Sequence, residues 1–174
     1  NLLLIPFISS SKIVLVKSFF NYVILNFWKI IQKNKVNTLW LVPTLINIIL
    51  DLSYTIKPKL SNKIKYVLCG TAPLSTNTRK DFEKKYNIKI LQNYGITETF
   101  FITSNRMLNT NKISGVGKKI SKKIDIKIIK KNKLLEFGEI CIKTNSLMDG
   151  YYKQSNKLIN KEKYFKTGDI GYFD

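Results

Sequence analysis

Apolar and polar positions along the chain fall into clusters whose spacing predicts the elements they form. Residues 1–20 hold two apolar runs, NLLLIPF and KIVLVKSF, and the second suits a short buried strand. Between Tyr22 and Gln32 the apolar residues Val23, Phe27, Ile30 and Ile31 stand close to helical spacing, with Asn21 placed to cap the helix. VNTLWLV then reads as a strand. Pro43 follows it and can open a helix, since a first-turn residue needs no N–H, and Leu45, Ile48, Ile49 and Leu52 would form the buried stripe. After the loop KPKLSNK, the run IKYVLCG reads as a buried strand ending at Gly70, followed by the turn TAPLS. Ser75 is placed to cap the helix TNTRKDFEKKYN, where Phe82 and Tyr86 lie four apart on one face, and IKIL is the next strand.

This strand–helix–strand–helix–strand succession predicts an α/β layered part with parallel pairing. The second half differs. KIDIKIIKK alternates Ile124, Ile126 and Ile128 with Asp125 and Lys127, and GEICIKT alternates Glu139 and Cys141 with Ile140 and Ile142. Short segments punctuated by Gly138, Gly150, Gly168 and Gly171 point to a small antiparallel sheet or barrel. The expected fold class is therefore α/β: a parallel-sheet layered subdomain over residues 1–110, then a small antiparallel β subdomain over 111–174.

Charge changes the picture little. Thirty basic and eleven acidic residues give a net +19, which invites nucleic acid or an anionic surface as partner. Only Arg79 and Arg106 are arginines, however, and the lysines are scattered, whereas base and phosphate recognition favours the planar arginine fork. A solvated lysine surface is the simpler reading, with a basic nucleic-acid-binding module as the alternative from another class. The absence of histidine excludes Ser-His-Asp triads, Cys-His pairs and imidazole shuttles from this segment. Cys69 and Cys141 sit in apolar runs without metal-ligand spacing, as buried reduced thiols do. The longest uncharged stretch, Val36 to Leu50, is too short to span a bilayer and contains Pro43, so a cytoplasmic protein without a transmembrane segment is expected. The chain starts with Asn1 and stops in GDIGYFD, which suggests a piece of a longer protein.

Candidate chemistry gathers in the stretch QNYGITET, directly after the strand IKIL. A glycine turn at Gly95 lets backbone N–H groups face an anion, and Thr97 adds a hydroxyl donor. Glu98 can hold magnesium against phosphate oxygens, and Tyr94 offers a face for a base. CGTAPLS is another strand-end turn one helix earlier, and parallel sheets bind ligands at that carboxyl edge. Asp169, in YFKTGDIGYFD, can accept both hydroxyls of a ribose. Taken singly, each stretch also occurs as an ordinary turn.

Together they resemble the adenylate-forming, or AMP-binding, enzymes: acyl-CoA synthetases, firefly-type luciferases and the adenylation domains of peptide synthetases. VNTLWLVPTLINIIL is similar to the family's strand-then-Pro-Thr-helix segment, CGTAPLS to its Gly-Ala-Pro-Leu-Ser turn with Thr71 as the variant residue, and QNYGITET to its Tyr-Gly-x-Thr-Glu signature. SGVGKKI resembles the Gly-x-x-Gly-Lys-Pro segment, with Ile120 after a second lysine where proline is common. GEICIKTNSLMDGYYK and YFKTGDIGYFD match the Gly-Glu…Gly-Tyr and Thr-Gly-Asp motifs.

The resemblance implies that Gly70, Thr71, Ala72, Pro73, Asn93, Tyr94, Gly95 and Ile96 line the adenine and acyl carbonyl, with Tyr94 packed on the purine. It implies Thr97 at the α-phosphate, Glu98 at magnesium and Asp169 on the ribose, with Thr97 and Glu98 as the catalytic pair. The implied reaction is ATP-dependent activation of a carboxylic acid as an acyl-adenylate, then transfer to coenzyme A. Ile96, where peptide-synthetase domains usually carry proline, favours that acceptor over a carrier protein loaded with an amino or aryl acid. Phe100, Phe101 and Ile102 either border the acyl pocket or serve as core. The family's glycine-rich phosphate loop is expected before residue 1 and its lysine-bearing C-terminal domain after Asp174, so that this segment alone is inactive.

Overall fold

In the computed structural model, residues 4–16, 22–52, 64–106, 114–130, 136–153, 159 and 162–174 are described. They fall into two compact units that divide between Gln92 and Asn93. The division lies well before 110, where the sequence pattern changes, because the distal half of one long strand already pairs with its successor.

In the first unit, three parallel strands, β1 (Thr38–Leu41), β2 (Tyr66–Cys69) and the first half of β3 (Ile90–Ile96), pair in register Leu39↔Val67, Leu41↔Cys69 and Val67↔Ile90. These same partners are the buried ones, so one sheet face carries the core. Against it pack Trp28 and Ile31 from α3 (Phe27–Lys33), Ile46 and Ile49 from α4 (Pro43–Leu52) and Phe82 from α5 (Thr76–Tyr86). Burying these large side chains contributes about 1.5–3 kcal/mol each. The expected layered α/β arrangement with parallel pairing is present.

Several local expectations shift. Two short helices, α1 (Leu4–Ile8) and α2 (Tyr22–Leu25), precede α3, and Asn26 interrupts the single helix expected from Tyr22 to Gln32. Trp28, not Phe27, is the buried aromatic there. The buried stripe of α4 runs Pro43, Ile46, Ile49, rotated from the expected Leu45, Ile48, Ile49, Leu52, because Pro43 itself enters the core. No strand forms over Ser11–Val16: Leu15 is 79% exposed, and no described strand pairs with this run. Asn21, residues 17–20 and the loop KPKLSNK lie outside the described residues.

Helix α5 starts and stops as its sequence dictates. The Ser75 hydroxyl accepts the Thr78 N–H at 3.0 Å, and Asn87, at a φ of 54°, closes the C-terminus. The Phe82 and Tyr86 rings meet at a tilt of 56° with centroids 4.8 Å apart. Between β2 and α5, Thr71 holds a φ of 75° with its side chain in solvent. A β-branched residue pays for that backbone and nothing holds it by packing. Thr71→Gly is expected to raise the unfolding free energy by about 1 kcal/mol, read from urea denaturation; an unchanged or lower midpoint would refute this.

In the second unit the rest of β3 forms an antiparallel hairpin with β4 (Phe100–Ser104), and β5 (Lys118–Lys119) extends it. A separate antiparallel sheet has the order β6 (Asp125–Ile129), β7 (Gly138–Lys143), β8 (Phe165–Gly171). Ile102, Ile124 and Ile142 make this unit's core, joined by half-buried Tyr94. On β6 the expected alternation holds. On β7 it fails, because Cys141 and Ile142 are both buried beside a register shift between Glu139 and Cys141. Both cysteines are buried and free, and burial pushes the Cys69 thiol up to about 11 against the opposing charge of Arg79.

Candidate active site

The signature stretch is not a glycine turn ending a strand. Strand β3 continues through Gly95 to Ile96, and the turn falls on Thr97, Glu98 and Thr99. Apolar Ile96 and Phe100 pair across the hairpin, and Phe100, at a φ of 60°, supplies the left-handed residue that closes it. Gly95 is required for space: a Cβ there would lie 2.2 Å from the Phe100 carbonyl oxygen, at the bulge between Tyr94 and Gly95. Exposed Thr97 and partly exposed Glu98 are thereby presented at the hairpin tip.

The tip is held from several sides. The Thr99 N–H donates to the Ile96 carbonyl at 3.2 Å, and the Met148 N–H donates to the Glu98 carbonyl at 2.8 Å. The Ser146 hydroxyl donates to the Thr99 carbonyl at 2.8 Å. The Tyr151 hydroxyl donates to Glu98 Oε1 at 2.5 Å, which raises the pKa of that phenol.

Strand β8 brings the second carboxylate. Gly168, at a φ of 78° that a side chain would strain, lies inside β8 at the bulge where its pairing with β7 shifts register, so the expected turn around Asp169 is a bulged strand. The bulge is pinned by the Gly168 N–H donating to Glu139 Oε1 at 3.2 Å, by the Thr167 hydroxyl donating to the Ile140 carbonyl at 2.8 Å and by the Asp169 N–H donating to Thr167 Oγ1 at 3.1 Å. Across 75 positions of sequence, the Tyr94 hydroxyl donates to Asp169 Oδ2 at 2.6 Å. Burial, then this bond to a carboxylate, drives the Tyr94 phenol well above its usual range.

Ile96, Glu98, Glu139, Tyr151, Thr167 and Asp169 share one open recess of about 320 Å³, within the lower range of small-molecule sites. The structure therefore brings Tyr94, Glu98 and Asp169 to one place, with Thr97 on the adjoining turn. Asn93 is buried with its Nδ2 lacking a partner, as is the Thr99 hydroxyl. Phe100 is 54% exposed and Phe101 half-buried, whereas Ile102 is core. Gly70, Thr71, Ala72 and Pro73 belong to the first unit, where Gly70 is buried and the other three are exposed at the end of β2. Sequence reasoning gave no role to Tyr151, Glu139 or Thr167. Each sits inside a motif it had singled out, but their hydrogen bonds join segments far apart in the chain.

Among the described residues, no group of three or more His, Cys, Asp or Glu could hold a metal unaided, and no helix is long and apolar enough to cross a membrane. Glu98 fits magnesium in its usual mode, in which one or two carboxylates act together with substrate phosphates.

Comparison with known proteins places the chain in a family. The chain is 33% identical to the luciferin 4-monooxygenase of Nipponoluciola cruciata over 156 residues, covering 85% of the chain and 28% of the relative. It is 32% identical over 157 residues to a probable 4-coumarate–CoA ligase of Dictyostelium discoideum, with the same coverage. The chain thus spans about 28% of the length of these curated relatives. Its fold matches that of the o-succinylbenzoate coenzyme A synthetase of Bacillus subtilis at a TM-score of 0.77 and 25% identity, covering 97% of this chain and 34% of that one. The same synthetase is known in complex with ATP and magnesium ion. A luciferase-like enzyme from the mealworm Zophobas morio matches at a TM-score of 0.82 and 23% identity, over 97% of this chain and 41% of that one. With the model of the AMP-binding enzyme family matching residues 1–152, the chain belongs to that family.

Proposed function

We propose that this chain is part of an enzyme that activates a carboxylic acid with ATP and magnesium and passes the acyl group to coenzyme A. The observation that carries the reading is the Tyr94–Asp169 hydrogen bond, which sets the signature strand and the Thr-Gly-Asp stretch of β8 on one recess beside Glu98. In this reading an oxygen of the acid attacks the α-phosphorus of ATP and the bond to pyrophosphate breaks; the thiol then attacks the acyl carbonyl of the acyl-adenylate, the acyl–phosphate bond breaks and AMP leaves. Thr97 donates its hydroxyl to the α-phosphate, where charge develops, and Asp169 accepts the ribose hydroxyls. The Tyr94 ring supports the purine while its hydroxyl fixes the Asp169 carboxylate. Asn93, Gly95 and Ile96 contribute the surroundings of the adenine and acyl carbonyl, with the partnerless Asn93 amide as a donor; for Gly70, Thr71, Ala72 and Pro73 the same role rests on their motif alone. Magnesium, when bound, supplies positive charge to the phosphate oxygens, and Glu98 would hold it. No histidine is needed, because fixed donors and positioning do the work.

The test uses the complete protein that carries this chain. Asp169→Ala is expected to raise the ATP concentration needed for acid-dependent pyrophosphate exchange about 10-fold, the equivalent of one charge-assisted hydrogen bond. It should also abolish discrimination between ATP and 2′-deoxy-ATP. A variant that discriminates as the wild type does would remove Asp169 from the ribose.

A further inference from the structure

Residues 144–151, which follow β7, are bound to the turn that carries Glu98. Two of their contacts, from Ser146 to the Thr99 carbonyl and from Met148 to the Glu98 carbonyl, hold backbone. The third addresses chemistry, because Tyr151 donates to Glu98 Oε1 at 2.5 Å. The segment has order of its own: the Ser146 N–H donates to Thr144 Oγ1 at 3.3 Å and the Leu147 N–H to the Thr144 carbonyl at 3.3 Å. Tyr151 is 38% exposed and lines the same recess as Glu98. Packing alone would be served equally well by phenylalanine.

We propose that Tyr151 is a positioning residue, whose hydroxyl holds one oxygen of Glu98 so that the other is presented to a divalent cation on the substrate phosphates. A free glutamate loses rotamer freedom when it captures an ion, and a carboxylate already fixed on one oxygen loses less. Because the bond uses Oε1, Oε2 stays available to a hard cation. The inference rests on the reading that Glu98 faces the metal, and it adds the residue that orients it.

Calorimetric titration of the complete protein with ATP, in magnesium and in EDTA, separates the possibilities. Tyr151→Phe is expected to weaken ATP binding in magnesium roughly 5-fold and to leave binding in EDTA unchanged. Glu98→Gln should weaken the magnesium arm at least as much, and the double variant should be no weaker than Glu98→Gln alone. Tyr152→Phe, at a side chain 86% exposed, should behave as wild type. If Glu98→Gln weakens the magnesium arm while Tyr151→Phe leaves it unchanged, tightens it or weakens both arms equally, the positioning role is overturned and the reading of Glu98 stands. If Glu98→Gln has no effect in magnesium, the reading of Glu98 falls and the role of Tyr151 falls with it.

Discussion

Thr97→Ala is expected to lower the maximal rate of acid-dependent pyrophosphate exchange roughly 100-fold, the loss typical of one donor aimed at developing charge. The residue is exposed at the tip of the β3–β4 hairpin, so removing its hydroxyl opens no cavity and leaves the core intact. Its backbone stays in place, because the Thr99–Ile96, Met148–Glu98 and Ser146–Thr99 hydrogen bonds do not involve the side chain. The cost should therefore appear in turnover and not in ATP affinity, as it does when an interaction forms only in the transition state. Thr97→Ser, which keeps the hydroxyl, should recover most of the rate. Exchange in Thr97→Ala at the wild-type rate would place phosphate stabilisation elsewhere.

Glu83→Gln should lower the unfolding free energy by about 3 kcal/mol at neutral pH, because it breaks a largely buried charge network. Glu83 Oε1 accepts from Arg79 Nε at 3.1 Å and from the Ile90 N–H at 3.0 Å, while Oε2 accepts from Lys89 Nζ at 3.0 Å. Arg79 is 1% exposed, so its guanidinium has little water to fall back on. One carboxylate thus ties the last turn of α5 to the first residue of β3. Burial pushes the Glu83 pKa up, but the Ile90 N–H, Lys89 and Arg79 outweigh it and hold the group below the usual glutamate range. A depressed folded-state pKa contributes stability that is present above the unfolded value and is lost as pH falls through the folded one. The difference between wild type and Glu83→Gln should accordingly be constant at neutral pH and shrink below about pH 4. Urea denaturation across that range measures it. A difference that stays constant down to pH 2 would assign the stabilisation to shape and not to charge.

How much of this was legible in the sequence depends on how local each feature is. Ser75 as cap, Pro43 as helix opener and the Phe82–Tyr86 pair need only their own few neighbours, and all three stand where the spacing puts them. Parallel pairing followed from alternating strands and helices, since a crossover helix fixes that geometry. Trp28 against Phe27, the rotated stripe of α4 and the exposed Leu15 were not legible, because which face of a marginal element is buried depends on what packs against it.

The candidate site shows the same division. The order of residues in QNYGITET and TGD was enough to name Tyr94, Thr97, Glu98 and Asp169, because side-chain chemistry and backbone permissiveness are properties of the residues themselves. The sequence could not show that Gly95 lies in a strand beside the Phe100 carbonyl, or that Tyr94 bonds Asp169. Nor could it show that Tyr151 bonds Glu98 in the β3–β4 turn and that Glu139 bonds Gly168 in β8. Those contacts join residues separated by tens of positions, and hydrogen bonds between distant segments exist only once folding has brought donor and acceptor within about 3 Å of each other.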